Sequence, residues 1–156
     1  MPTARCGAGA AVLDGKIYVV GGYDEDGTSL ATVDVYDPTT NAWSQAPPMS
    51  TARSTLGVAA LGGKLYAAGG LNSTYRLSSV EVFDPQTNAW TPLASMSTSR
   101  SGVATAAVQG KLYAAGGIED ETDTLAAAEA YDPQQDRWEA VAPMATARDS
   151  GAAAAM

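Results

Sequence analysis

Residues 64 to 70 read KLYAAGG, the same seven letters return at 111 to 117, and a near copy, KIYVVGG, stands at 16 to 22. A chain that repeats at a fixed interval folds as copies of one small unit stacked on each other, which constrains the architecture more than any other feature. The interval extends well beyond the heptapeptide. Gly21-Gly22, Gly69-Gly70 and Gly116-Gly117 are 48 and then 47 residues apart, and Trp43, Trp90 and Trp138 are 47 and then 48 apart. Between each glycine pair and its Trp lies an acidic, apolar, aromatic, Asp-Pro run: DVYDP from Asp34, EVFDP from Glu81 and EAYDP from Glu129. A Met followed four residues later by Arg recurs as Met1 and Arg5, Met49 and Arg53, Met96 and Arg100, and Met144 and Arg148. The chain therefore divides into repeats over 1–48, 49–95 and 96–143, with 144–156 beginning a fourth.

Each repeat breaks into four short strand-like pieces separated by turn chemistry. In the second these are TLGVAAL, KLYAAGG after a Gly62-Gly63 turn, SSVEVFDP after a polar loop, and AWTPLASM after a Gln-Thr-Asn turn. That order predicts a four-stranded antiparallel meander. Its first strand is built of Gly, Ala and Val, and its later strands carry Tyr or Phe, Trp and Pro. A sheet thin at one edge and thick at the other is a wedge, and wedges set side by side close around an axis as the blades of a β-propeller. Alanine is a poor strand residue, so its density in GAGAAVL and GVATAAV requires such a steric reason. Gly pairs and Asp-Pro steps exclude an α-solenoid. The expected fold is all-β: three four-stranded blades plus the first strand of a fourth, making a partial or half propeller.

Composition narrows function by exclusion. The formal charge is −8, the wrong sign for a nucleic-acid or anionic-membrane partner. No run approaches the roughly 18 apolar residues of a membrane span, and no secretory signal is visible. There is no histidine, which removes imidazole metal sites and His-based acid–base chemistry. No cofactor is expected. The single cysteine, Cys6, permits no internal disulfide and points to a reducing, cytoplasmic setting. The glycine pairs end strands instead of opening helices, so they read as backbone turns and not phosphate loops. The Trp and Tyr triplets read as core. Asp34, Glu81 and Glu129, one per repeat at one strand position, read as partners for buried hydrogen bonds between blades. Asp24-Glu25-Asp26-Gly27 lacks the remaining ligands of a calcium loop. Asn72-Ser73-Thr74 spells a glycosylation sequon.

A unit of this length, with a glycine pair after a Tyr-containing strand, then a spaced aromatic and a Trp, resembles the Kelch repeat across the whole chain. The Ser-Val-Glu and Asp-Pro-x-Thr-Asn-x-Trp runs and the Met-x-x-x-Arg linker look most like the propellers of BTB-Kelch adaptors, which recruit substrates to cullin-type ubiquitin ligases. Residues 1–156 contain no BTB or BACK segment, so a ligase role would belong to a longer parent. The resemblance implies one working rim, formed by the linkers and the loops after the glycine pairs. On this sequence that rim holds Arg5, Arg53 and Arg100, then Cys6, Ser54 and Ser101, and the first loop residues Tyr23, Leu71 and Ile118. The middle loop adds Asn72, Tyr75 and Arg76. Tyr75 and Arg76 are not repeated in the other units, which leaves them free to serve a partner. The arginines carry two readings at this level, caps on backbone carbonyls between blades or ligands for a partner.

The expected function is a non-catalytic module that binds a protein or peptide segment. An epimerase- or mutarotase-like Kelch enzyme is one alternative, although the inward-facing strand positions are Gly, Ala, Val or Ser. A scaffold is the other: three wedges cannot close a ring, so the ends read as cuts through a longer array or as a half-ring whose homodimer closes six blades.

Overall fold

The computed structural model describes residues 1–153, and within them the chain is all-β with no helix. Twelve five-residue strands form three separate four-stranded antiparallel sheets. Blade 1 contains β1 (Gly9–Leu13), β2 (Lys16–Val20), β3 (Val33–Asp37) and β4 (Ala42–Ala46). Blade 2 contains β5 (Gly57–Leu61), β6 (Lys64–Ala68), β7 (Val80–Asp84) and β8 (Ala89–Leu93). Blade 3 contains β9 (Ala104–Val108), β10 (Lys111–Ala115), β11 (Ala128–Asp132) and β12 (Arg137–Val141). Each blade is a plain meander in strand order. Tight hairpins join the first two strands; in blade 2, Gly62 and Gly63 both take positive φ (58° and 75°), matching the right-handed strand twist.

The inner strands β1, β5 and β9 lie side by side, and the blades spread outward from them. This is the wedge stacking expected from residue size. Thin inner strands permit close approach: a β-carbon on Gly57 would overlap the Thr105 side chain of the next blade. The outer seams are filled by rings. Tyr18 of blade 1 meets Phe83 of blade 2 with centroids 6.1 Å apart, and Tyr66 of blade 2 meets Tyr131 of blade 3 at the same 6.1 Å. Each seam is closed by an indole donating to a carbonyl of the preceding blade, Trp90 Nε1 to Pro47 at 2.9 Å and Trp138 Nε1 to Ala94 at 3.0 Å. The core therefore lies between the sheets.

The tail departs from expectation. Up to residue 153 it forms no strand, and residues 154–156, where the expected first strand of a fourth blade would finish, lie outside the described residues. It keeps the linker bonds instead: Met144 N–H donates to Ala126, Arg148 N–H to Leu125, and Gly117 N–H to Arg148. An inner strand needs a second strand to pair with, and no K-x-Y piece follows residue 144 in this sequence.

Candidate binding rim

The rim is assembled from the linkers, and the arginines assemble the linkers. Arg53 Nη1 donates to the carbonyls of Gly69 and Ser79, both at 2.9 Å, while Nη2 donates to Ser79 Oγ at 3.1 Å and Glu81 Oε1 at 2.8 Å. Arg5 repeats the pattern on Gly21, Thr32 and Asp34, and Arg100 repeats it on Gly116, Ala127 and Glu129. The acid then turns the linker: Glu81 Oε2 accepts from the N–H and hydroxyl of Ser50, and Oε1 from the N–H of Thr51. Meanwhile the main chain of Arg53 binds the preceding blade, its N–H donating to Leu30 and its carbonyl accepting from Gly22. One residue thus ties blade 1 through its backbone and blade 2 through its side chain.

The glycine doublet is the counterpart of this tie. Gly69 takes φ 64°, and a β-carbon there would stand 2.5 Å from the Arg100 carbonyl oxygen. Only glycine accepts both the left-handed backbone and the approaching linker.

These contacts decide the two readings of the arginines. Arg53 and Arg100 are 0 % exposed, and the Arg5 side chain is equally covered. A guanidinium enclosed by carbonyls and one carboxylate has no surface to offer a partner, so Arg5, Arg53 and Arg100 are corrected from contact residues to residues that position the rim. Burial lowers the Arg53 pKa, and the Glu81 hydrogen bond and charge oppose that. For Glu81, burial works to raise its pKa, but Ser50 and then Arg53 outweigh it and hold the carboxyl below its ordinary value. Ser54 and Ser101 are also buried. Ser54 Oγ donates to the Leu71 carbonyl at 3.3 Å, which fixes the root of the loop.

What remains exposed is the loops. They run between paired bridges, Tyr23 with Ser29, Leu71 with Arg76, and Ile118 with Thr124, each of the first residues also bridged to its linker at Cys6, Ser54 or Ser101. A side-chain oxygen shapes each loop: Asp24 accepts from the N–H groups of Asp26 and Thr28, Asn72 from Thr74 and Tyr75, and Asp120 from Thr122 and Asp123. Asn72 is therefore a loop organiser whose amide oxygen is already engaged. Backbone and hydroxyl donors from Thr122, then the Asp123 N–H, hold Asp120 below the usual carboxylate range, with the charge of Arg76 adding to this.

Tyr75 is 61 % exposed and Tyr23 is exposed as well. Arg76 is half-buried, and its Nε has no hydrogen-bond partner among the described residues. Tyr23 also walls a shallow cavity of about 330 Å³ with Ala4, Arg5, Cys6, Asp24 and Glu25. Two residues escaped the sequence reading. Ser29 Oγ donates to the Leu71 carbonyl at 2.8 Å, and its N–H donates to Ser73 Oγ at 2.7 Å, joining the first loop to the second. The bridges show that Ser29, Arg76 and Thr124 share one position, a correspondence hidden by the one-residue deletion in the middle loop. The axial wall offers different chemistry: a cavity of about 350 Å³ there is lined by Ala10–Val12, Val58–Ala60, Thr105–Ala107 and Ala153, with no titratable side chain.

The KLHDC2/KLHL20/DRC7 Kelch-repeats domain matches residues 1–155. This chain belongs to the Kelch-repeat family. It is 56% identical over 43 residues to an F-box/kelch-repeat protein of Arabidopsis thaliana, a match that covers 28% of this chain and 11% of that one. It is 45% identical over 49 residues to the influenza virus NS1A-binding protein homolog of Mus musculus, covering 31% and 8% of the two chains. Each match is about one Kelch repeat long, and the chain spans a small part of these relatives. The structure of YjhT superposes with a TM-score of 0.79 at 20% identity, covering 93% of this chain and 54% of that one. This Kelch chain is thus similar to about half of that fold.

Proposed function

We propose that this Kelch chain is a non-catalytic module whose rim holds a protein or peptide segment, with Tyr23, Tyr75 and Arg76 as its principal contacts. The observation that carries this reading is a division of labour at one end of the blades. The repeated Arg and Ser side chains are buried in the frame, while two exposed aromatics and the half-buried Arg76, whose Nε has no hydrogen-bond partner among the described residues, stand on the loops that the frame supports. An exposed Tyr beside an Arg supplies apolar area and a planar donor fork at little entropic cost. Glu119, Asp120, Glu121 and Asp123 add an acidic sector that steers a partner with basic residues. The name of the mouse relative, an NS1A-binding protein homolog, supports protein binding. The absence of titratable groups along the described axial wall supports binding over epimerase chemistry. In a longer chain bearing a BTB-type segment, the same rim would serve as the substrate-recognition part of a ubiquitin-ligase adaptor. Peptides selected by display against the chain test the reading. Tyr75→Ala and Arg76→Ala are expected to weaken the selected peptide by roughly tenfold or more each. Unchanged affinity in both variants would remove the rim assignment.

We also propose that two copies close one ring of three plus three blades. The observation favouring this is that the chain matches about half of a solved Kelch structure. Its two end blades, correspondingly, each keep one apolar face uncovered.

A further inference from the structure

We infer that the two open end faces are the halves of a single seam. A second copy covers them by inserting its own N-terminal segment where residues 144–153 of this chain now lie. The inference rests on the paired-ring reading.

Among the described residues, the exposed large hydrophobics fall mainly into two patches: Val12, Ile17 and Trp43 on the outward side of blade 1, and Val108 and Val141 on the outward side of blade 3. Ile17 is 39 % exposed, whereas Leu65 and Leu112, its counterparts in the next two repeats, are 0 % exposed. The molecule twice shows what belongs against such a face. At both internal seams, a second-strand Tyr packs on a third-strand aromatic, and an indole donates to a carbonyl 43 or 44 residues earlier in the chain. The unused halves are Tyr113 on one end, and Tyr36 with Trp43 on the other. The repeat register places the Ala142 carbonyl where Trp43 Nε1 requires an acceptor. Blade 3 of one copy thus offers what blade 1 of another lacks.

Which inner strand fills the new seam follows from size at the axis. The tail, 144–156, and the N-terminal segment, 1–13, occupy the same repeat register, so closure must displace one of them. Were the tail exchanged into the partner's blade 1, Ala152 would take the position of Gly9. A β-carbon there would overlap Val58 Cγ2 and approach Val58 Cβ at 3.0 Å. The reverse arrangement fits. At the internal seams Gly9 faces Val58 and Gly57 faces Thr105, and at the open end the register sets Ala104 against the partner's Ala10, a small residue against a small one. The partner's Arg5 then stays on its own Asp34, and its carbonyl takes the place that the Arg148 carbonyl holds against Gly117. The tail is a placeholder that the second copy expels.

One cross-link distinguishes this arrangement. At the first internal seam, Ser29 Oγ of one blade lies 3.4 Å from Ser54 Oγ of the next linker. The same pair at the new seam is Thr124 and the partner's Cys6. A Thr124→Cys variant of the full chain, treated with diamide, is expected to yield a disulfide dimer through native Cys6, read by non-reducing electrophoresis. Light scattering of the full chain is expected to give twice the 15.9 kDa chain mass. Deleting 144–156 should tighten the dimer by about tenfold or more, because a competitor is removed, and Ile17→Asp should leave a folded monomer. A dimer that resists the Cys6 cross-link and loosens on tail deletion means the tail exchanges instead, which overturns this inference and leaves the paired ring standing. A monomer at all concentrations overturns both.

Discussion

Two side chains of one kind stand less than 25 residues apart near the same rim, and their surroundings are opposite. Arg53 spends its terminal nitrogens on Gly69, Ser79 and Glu81 and has no exposed surface, whereas Arg76 sits half-buried on a loop with no hydrogen bond from its guanidinium among the described residues. The first recurs in every repeat, and the second occurs once. The contrast shows how a repeat protein separates its tasks. A residue that every blade needs is enclosed by the joint that it makes, and a residue that one blade alone carries keeps part of its side chain exposed on a loop.

The largest test of this contrast is to cut the joint. Arg53→Ala strands Glu81 in a buried position, and removing one member of such a pair typically costs about 3–5 kcal/mol. Urea unfolding should show a loss of that size, whereas Arg148→Ala, whose side chain is exposed, should change stability by less than about 0.5 kcal/mol. A similar cost for both would mean that the enclosure of Arg53 carries no weight.

The next test compares seam with open face. Leu65→Ala empties a fully buried position and should cost about 2–5 kcal/mol, while Ile17→Ala, at its exposed counterpart, should cost under about 1 kcal/mol in the monomer. Equal losses would indicate that blade 1 is already covered in solution.

A smaller effect is set by acid. Glu81 has a folded pKa held below its ordinary value, so the carboxylate favours the folded state above the unfolded pKa of about 4.3. That contribution is lost as pH falls through the lower folded pKa. Stability measured from pH 6 downward should therefore drop through the acid range, and Glu81→Gln should show a lower plateau with a flatter decline. A steeper decline in the variant would reverse the assigned direction.

The joint was legible in the sequence because it recurs. Three arginines, three acids and three glycine pairs at one interval point to a shared structural duty; Asp34, Glu81 and Glu129 do accept hydrogen bonds from these arginines, but each within its own repeat, from linker to blade, and not between blades as expected. The depth of burial was not legible. Arginine is usually exposed, and the carbonyls of Gly69 and Ser79 that receive Arg53 carry no sequence signature. The loops were half-legible. The singularity of Tyr75 and Arg76 was visible, but the missing residue in their loop concealed that Arg76 stands where Ser29 and Thr124 stand. Asn72, expected as a partner contact, spends its amide oxygen inside the loop on the N–H groups of Thr74 and Tyr75. The tail's fate depended on a pairing strand, which no property of its own residues reports.

The most direct measurement reads binding and stability together on Tyr75→Ala, with a peptide selected by display against the unaltered chain. The account predicts that affinity falls roughly tenfold or more while the urea midpoint stays within the equivalent of about 0.5 kcal/mol. Full affinity in this variant, or a loss of affinity that only tracks a loss of stability, would contradict it.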